Sequence, residues 1–396
     1  MIKPHGAETL TPLYVSDDAE RAGLIKEAEQ LPSITVSSGA AASAVMLASG
    51  YFTPLTGYMN ISEAISVAND MKLLNGLFWP VPIMNIVSED QLTNEVRSAD
   101  RIALLDPNVE GNPVIAVMDL SAIETISSAQ INHIIEKTFG TTDSEHPGVP
   151  AFSDVGDNVL SGPIQVLNYS YFPEDFPDTF RTAVEIRADI AERGWEKVVA
   201  FQTRNPMHRA HEELCKIAQK EVNADGVLIH MLLGKLKPGD IPAAVRDAAI
   251  RAMVQHYFPE NTVSITGYGF DMLYAGPREA LLHAVFRQNC GASHFIVGRD
   301  HAGAGDYYGP FDAQEIFDEI SEDALEIEIF KGNWTMWCKK CNEIVMMGDC
   351  PHGQDDYFTI SGTKQREILA AGEPLPPEIA RPEVAEILME YYQSVA

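Results

Sequence analysis

Positive charge is what this chain has least of. Its 396 residues carry 28 lysines and arginines against 57 aspartates and glutamates, a formal charge of −29. A broad nucleic-acid surface needs cations that displace counterions, so that class of partner is excluded. The same deficit excludes docking on an anionic membrane face. No run comes near the roughly 18 apolar residues that a bilayer span requires. The longest candidate, "GAAASAVMLASGYF", is built of small residues and interrupted. The amino terminus, "MIKPHGAETLTPLY", has no basic stretch followed by an apolar one, so no export signal is expected. A soluble, cytoplasmic protein is the expectation.

Several catalytic signatures are missing as well. No G-x-x-x-x-G-K-[ST] phosphate loop occurs, no G-x-G-x-x-G follows the first strand of the α/β region, and no G-x-S-x-G nucleophile elbow is found. P-loop kinases, dinucleotide oxidoreductases and serine hydrolases therefore lack support. Cysteine is scarce: five residues, an odd number, which argues against a disulfide framework.

What remains is ordinary globular composition, 45% hydrophobic and 21% charged, in a chain long enough for two or three domains. To about residue 165, short β-rich runs such as "SITVSS", "FWPVPIMNIV", "RIALLD", "PVIAVMDL" and "IQVLNYSYF" are separated by turn signals. Helical spacing shows in "NISEAISVANDM" and "SAQINHIIEKTF". From about residue 170, apolar strands alternate with helices, which indicates an α/β unit with a parallel sheet covered on both faces.

The stretch "VVAFQTRNPMHRAH" breaks the acidic rule. After an apolar strand, ten residues supply Gln202, Thr203, Arg204, Asn205, His208, Arg209 and His211, with no acid among them. Ligands of open parallel sheets bind beyond the strand carboxyl ends. Helix-start amides favour an anion there, and Arg204 adds a planar donor fork. His208 and His211 are three apart and share a helix face. Zinc is possible for such a pair, but the metalloprotease order H-E-x-x-H is absent. "HFIVGRDHAGAG" repeats the logic, with Gly298, Arg299, Asp300, His301 and Ala302 after a second strand. Two cationic strand-end loops in one domain predict a shared anion site. Cys215, within "AHEELCKIAQ", reads as core rather than nucleophile.

"WCKKCNEIVMMGDCPH" places Cys338, Cys341, Cys350 and His352 as C-x2-C-x8-C-x-H. Three thiolates and one imidazole complete a tetrahedral set with no open position, the pattern of a structural zinc.

"AFQTRNPMHRAHE" and "GRDHAG", with "PHG", "YFTPLTGYMN", "EHPGV", "KPGDIPAAVR", "YAGPREALLHA" and "ISGTKQRE" in order along nearly the whole chain, resemble the ATP sulfurylase family. The resemblance implies a PUA-like amino-terminal domain (1–168), a Rossmann-like nucleotidyltransferase domain (169–330) and a small zinc-stapled domain (331–396). It implies attack of sulfate on the α-phosphorus of magnesium-bound ATP, giving adenylyl sulfate (APS) and pyrophosphate, or the reverse. Gln202, Arg204, Arg299 and the Ala302 amide would hold sulfate. Thr203, Arg204 and Asn205 would form the catalytic trio, and His208 and His211 would grip the ATP phosphates. Gly298, Arg299, Asp300 and His301 would line the nucleotide site, with Ile329–Phe330 giving a backbone contact to adenine. A homo-oligomer, a dimer first, is expected. No kinase domain is present within the 396 residues, so phosphorylation of the product is not expected. Another nucleotidyltransferase with a different acceptor, or a non-catalytic anion sensor on the same fold, are the competing readings.

Two departures stand out. Leu273 in "MLYAGPRE" replaces an arginine common in the family, and Lys235 in "LLGKLKPGD" is expected to restore that charge.

Overall fold

Small and β-branched residues set the first unit. The structure, a computed structural model, describes residues 1–237 and 240–395, so Pro238 and Gly239 of the "KPGD" block lie outside the described residues. Helix α1 (Asp18–Ala28) precedes strand β1 (Ser33–Thr35) and helix α2 (Ser38–Ala48). Every residue of α2 from Ala40 to Ala48 is buried. An apolar stretch with no polar face has nowhere to go but the core. Beyond it come β2 (Gly57–Tyr58), α3 (Ile61–Asp70) and β3 (Ile86–Val87). Of the expected strand "FWPVPIMNIV" only β3 and a lone bridge from Phe78 to Lys72 pair, because Pro80 and Pro82 lack the amide a ladder needs.

Strands β4 (Arg101–Leu105), β5 (Val114–Asp119), β6 (Ala122–Thr125) and β7 (Asn158–Val166) complete a seven-stranded mixed sheet. The nine-residue β7 is its hub and pairs with β5, β2, β3 and β6, all antiparallel. Helix α4 (Ser128–Phe139) starts at a reciprocal Ser127–Gln130 capping box, a device stabilising a helix by about 1 kcal/mol.

The second unit follows the expected alternation closely. Helix α5 (Ala183–Glu192) leads to β8 (Val198–Thr203), α6 (Arg209–Glu221), β9 (Gly226–Leu232), α7 (Ala243–Tyr257), β10 (Val263–Tyr268), α8 (Pro277–Asn289), β11 (His294–Val297) and β12 (Glu328–Lys331). All five strands are parallel, in the order β10-β9-β8-β11-β12. The chain moves outward from β8 to β10, then returns to lay β11 on the other side of β8. That reversal makes the crevice between the ends of β8 and β11 the topological switch point, where such sheets bind ligands.

Helix α8 is buried along its length from Glu279 to Asn289. The first unit grips it at both ends. Arg278 donates to the carbonyls of Val67, Ala68 and Pro80, while Asn289 donates to those of Tyr51 and Thr53 and accepts from the His5 amide. Gly276, just before α8, has φ +48°, and a Cβ there would sit 2.7 Å from the Tyr308 ring.

A three-stranded antiparallel sheet, β14-β13-β15, follows: β13 (Thr335–Cys338), β14 (Glu343–Met346) and β15 (Tyr357–Phe358). Helices α9 (Gly362–Ala370) and α10 (Pro382–Ser394) close the chain. This segment lies over the start of α6. Thr335 Oγ1 donates to the Ala210 carbonyl at 2.7 Å, and the Arg381 fork holds buried Glu212 at 2.9 and 2.7 Å.

Candidate active site

The switch-point crevice is a cavity of about 660 Å³, within the range of small-molecule sites. Gln202, Thr203, Arg204, Asn205, His208 and His211 line it from the β8 side. Gly298, Arg299, Asp300, His301 and Ala302 line it from the β11 side. The two cationic loops thus share one site.

Each loop is held by its own backbone chemistry. Thr203 Oγ1 donates to the Asn205 carbonyl at 2.7 Å and accepts the Asn205 amide at 3.1 Å, which closes the turn leaving β8. In the second loop Asp300 and Ala302 both adopt positive φ, 52° and 57°, and the Ala302 carbonyl accepts the Gly276 amide at 3.1 Å. A Cβ on Gly303 would fall 1.9 Å from Asp300 Oδ1, so any larger residue would force that carboxylate to move.

Arg204 spans the two loops. Its Nη2 donates to the Gly303 carbonyl at 3.1 Å, its guanidinium lies 4.9 Å from the centre of the Tyr274 ring, and Asp240 Oδ2 is 3.7 Å away. Arg299 has no carboxylate within salt-bridge distance among the described residues. Its charge rests on aromatic faces, 4.0 Å from the Trp334 ring centre and 5.2 Å from that of Phe311. Trp334 is 49% exposed at the mouth of the cavity.

The imidazoles are held neutral. The His208 and His211 rings sit 4.0 Å apart at 31°. Burial pushes His208 down to about 4, and burial together with His208 holds His211 well below its ordinary value. His301 is lowered by burial, then by His283, Arg287 and Arg204. Asp300 is raised by burial. Neutral imidazoles beside two guanidiniums form a pocket able to take protons and charge together with an arriving polyanion.

The Cys/His set also comes together. Sγ of Cys341 and Cys350 are 3.4 Å apart, Sγ of Cys350 and Cys338 3.7 Å, and His352 Nδ1 lies 3.2 to 3.4 Å from all three sulfurs. A tetrahedral zinc with ordinary bond lengths has edges of roughly 3.5 to 3.8 Å, so the donors are close to a coordination shell. The group could hold a metal ion.

Residues 177–391 match the ATP-sulfurylase family model, and residues 2–169 match that of a PUA-like domain. A sulfate adenylyltransferase of Alcanivorax borkumensis is 64% identical across 100% of this chain and 98% of its own length. One from Allochromatium vinosum is 61% identical, covering 100% and 99%. The chain belongs to the ATP-sulfurylase family. Among solved structures, a hexameric APS kinase from Thiobacillus denitrificans aligns with TM-score 0.75 at 25% identity, over 98% of this chain and 68% of that one.

Within the ATP-sulfurylase frame, two expectations change and one departure is accounted for. Ile329 and Phe330 sit in β12, paired with Phe295 and Ile296, and do not line the cavity. The wall there begins at Asn333 and runs to Trp337, because the strand must end before the chain can turn over the crevice. Lys235 does not restore charge. Its Nζ bonds Asn108 Oδ1 at 2.7 Å, away from the crevice, while Lys237 Nζ lies 5.8 Å from the Tyr274 ring that also faces Arg204. Leu273 packs among apolar residues of both neighbouring clusters, so no cation occupies that position.

Sequence reasoning missed Tyr268, Tyr274, Trp334 and Asp240. Tyr274 lies inside the quoted "YAGPRE" block, but no charge or spacing rule marks a tyrosine as support for an arginine. The carboxy-terminal wall, Phe358 to Ser361 with Ile379, was likewise hidden, since long-range packing leaves no local pattern.

Proposed function

We propose that the switch-point cavity brings ATP and sulfate together and that a sulfate oxygen attacks the α-phosphorus directly. The activity is that of the family: ATP and sulfate give APS and pyrophosphate, or the reverse. One sulfate O–P bond forms, and the bond from the α-phosphorus to the bridging oxygen breaks. Pyrophosphate leaves with that electron pair, and no protein nucleophile is used. Both reactants are anions, so the work is screening, alignment and charge stabilisation.

Gln202, Arg204, Arg299 and the Ala302 amide are assigned to sulfate. Thr203, Arg204 and Asn205 are the catalytic trio, with His208 and His211 on the triphosphate and Gly298–His301 along the nucleotide. The observation carrying this reading is the convergence of both cationic loops on one cavity beside the β8–β11 reversal. Magnesium arrives on the triphosphate. The cavity walls hold only Asp300 and Glu378 as acids among the described residues, too few for a protein cage, which suits an ion held by phosphates and water. Zinc is assigned to Cys338, Cys341, Cys350 and His352 as a structural staple. Domain limits at 168 and 330, a homodimer and a cytoplasmic location complete the reading. The hexameric relative supports self-association. Five free cysteines suit a reducing compartment.

Pyrophosphate release that depends on sulfate is the expected result, with inversion at a chiral α-phosphorothioate. ATP binding without turnover overturns the activity, and retention overturns direct attack.

A further inference from the structure

Behind the cavity, helix α8 carries a polar stripe that the proposed chemistry does not use. Glu279, His283 and Arg287 are spaced i, i+4, i+8, so they share one face, and all three have zero exposure. Buried polar groups are costly unless hydrogen-bonded or paired, and this stripe leaves some of its atoms without partners.

Each member of the stripe reaches a different part of the site. Glu279 Oε1 accepts the Leu273 amide at 3.1 Å and Oε2 accepts the Ala275 amide at 3.0 Å, which fixes the turn that presents Tyr274 to Arg204. His283 Nδ1 faces His301 Nε2 at 3.0 Å. Its Nε2 lies 3.5 Å from Glu279 Oε1 and has no formed hydrogen bond. Arg287 donates to the His283 carbonyl at 3.2 Å and lays its guanidinium 4.9 Å from the Tyr268 ring centre. The Tyr268 hydroxyl in turn accepts Gln202 Nε2 at 3.3 Å. Nε and Nη2 of Arg287 have no partner.

This arrangement favours one tautomer. Ionised Glu279 only accepts, so its charge 3.5 Å away favours the proton on Nε2 of His283, with no hydrogen bond formed there. His283 Nδ1 is then bare and accepts from His301 Nε2–H. The remaining nitrogen of His301, Nδ1, must gain a proton before it can donate to a phosphate oxygen, and the resulting imidazolium would keep its Nε2–H on His283.

We infer that Glu279, His283 and Arg287 are positioning residues for two separate halves of the anion site: the Glu279–His283 pair orients His301 toward the triphosphate, and Arg287 holds Tyr268, and through it Gln202, toward sulfate. The inference rests on the proposed function for its kinetic arm and on the geometry alone for its spectroscopic arm.

The kinetic arm varies ATP and sulfate in turn. His283→Leu is expected to raise KM for ATP about 10-fold while KM for sulfate stays within about twofold, the scale of loss from a misplaced binding group. His283→Asn, which keeps a polar atom near Nδ1, recovers most of the loss, and His283→Gln does not. Arg287→Met and Tyr268→Phe are expected to raise KM for sulfate more than KM for ATP. Should His283→Leu not fold, the Asn and Gln variants carry the comparison alone. Parallel changes in both KM values, or none, with an active wild type, overturn the inference as a merely structural stripe would.

The spectroscopic arm uses the wild-type chain with 15N-labelled histidine at pH 8 and no ligand. Nε2–H resonances for both His283 and His301, assigned by single substitutions, are expected. An Nδ1–H form of His301 overturns the inference even if the protein makes no APS, which separates this failure from failure of the functional reading.

Discussion

Arg204 was readable from the primary structure because its surroundings made it anomalous. No acid stands beside it in sequence in a chain of charge −29, and the structure places it on the cavity wall. Its partners were not readable. Tyr274, Gly303 and Asp240 lie 36 or more positions downstream, and nothing local to residue 204 points to them. The same limit explains Lys235 and Lys237: the sequence offered two lysines two positions apart, and only the turn of the chain decides which faces the ring. Arg204→Ala is expected to lower kcat by at least ~10²-fold, the scale for losing one charge-stabilising donor. A near-normal turnover number in steady-state assays would remove Arg204 from the mechanism.

At the level of elements, period and apolarity served well wherever a segment had two unlike faces or was a β-branched run between turns. β9 occupies the seven residues "GVLIHML", and α4 the twelve residues "SAQINHIIEKTF", as read. Helix α2 was missed as a helix because it has no face: small residues all round, buried all round, give no period to detect. The carboxy-terminal sheet was legible as a metal motif but not as a cavity wall. Strand β13 joins both roles, since Cys338 ends it while Trp334 to Trp337 border the cavity. Fresh protein is therefore expected to hold about one equivalent of zinc after dialysis, and less than about half an equivalent would sink the assignment. Stripping the ion with a chelator should lower the melting temperature and weaken ATP binding together, measured by calorimetry on the same sample.

For the whole molecule, histidine burial dominates the response to acid. Burial is the leading cause that lowers His5, His146, His208, His211, His230, His283, His294 and His301. Each takes a proton less readily in the fold than in the unfolded chain, where protonation sets in below about pH 6.5. Their contribution is complete above that value and is lost as pH falls, for His208 down to about 4. Glu279, pushed up to about 7 by burial, and Asp271 and Asp300, also raised by burial, act in the opposite sense but are fewer. Denaturant melts should show stability falling between pH 7 and pH 5 with a slope of more than one proton, and His208→Asn should lower that slope by up to one proton. A level profile would contradict the burial assigned to these rings.

The clasp on α8 reaches furthest. Arg278 and Asn289 bind the two ends of the helix behind the cavity to carbonyls of the amino-terminal unit, so that unit is the second half of a mould rather than an attached module. Exchanging it for another domain would leave both ends of α8 without their backbone partners.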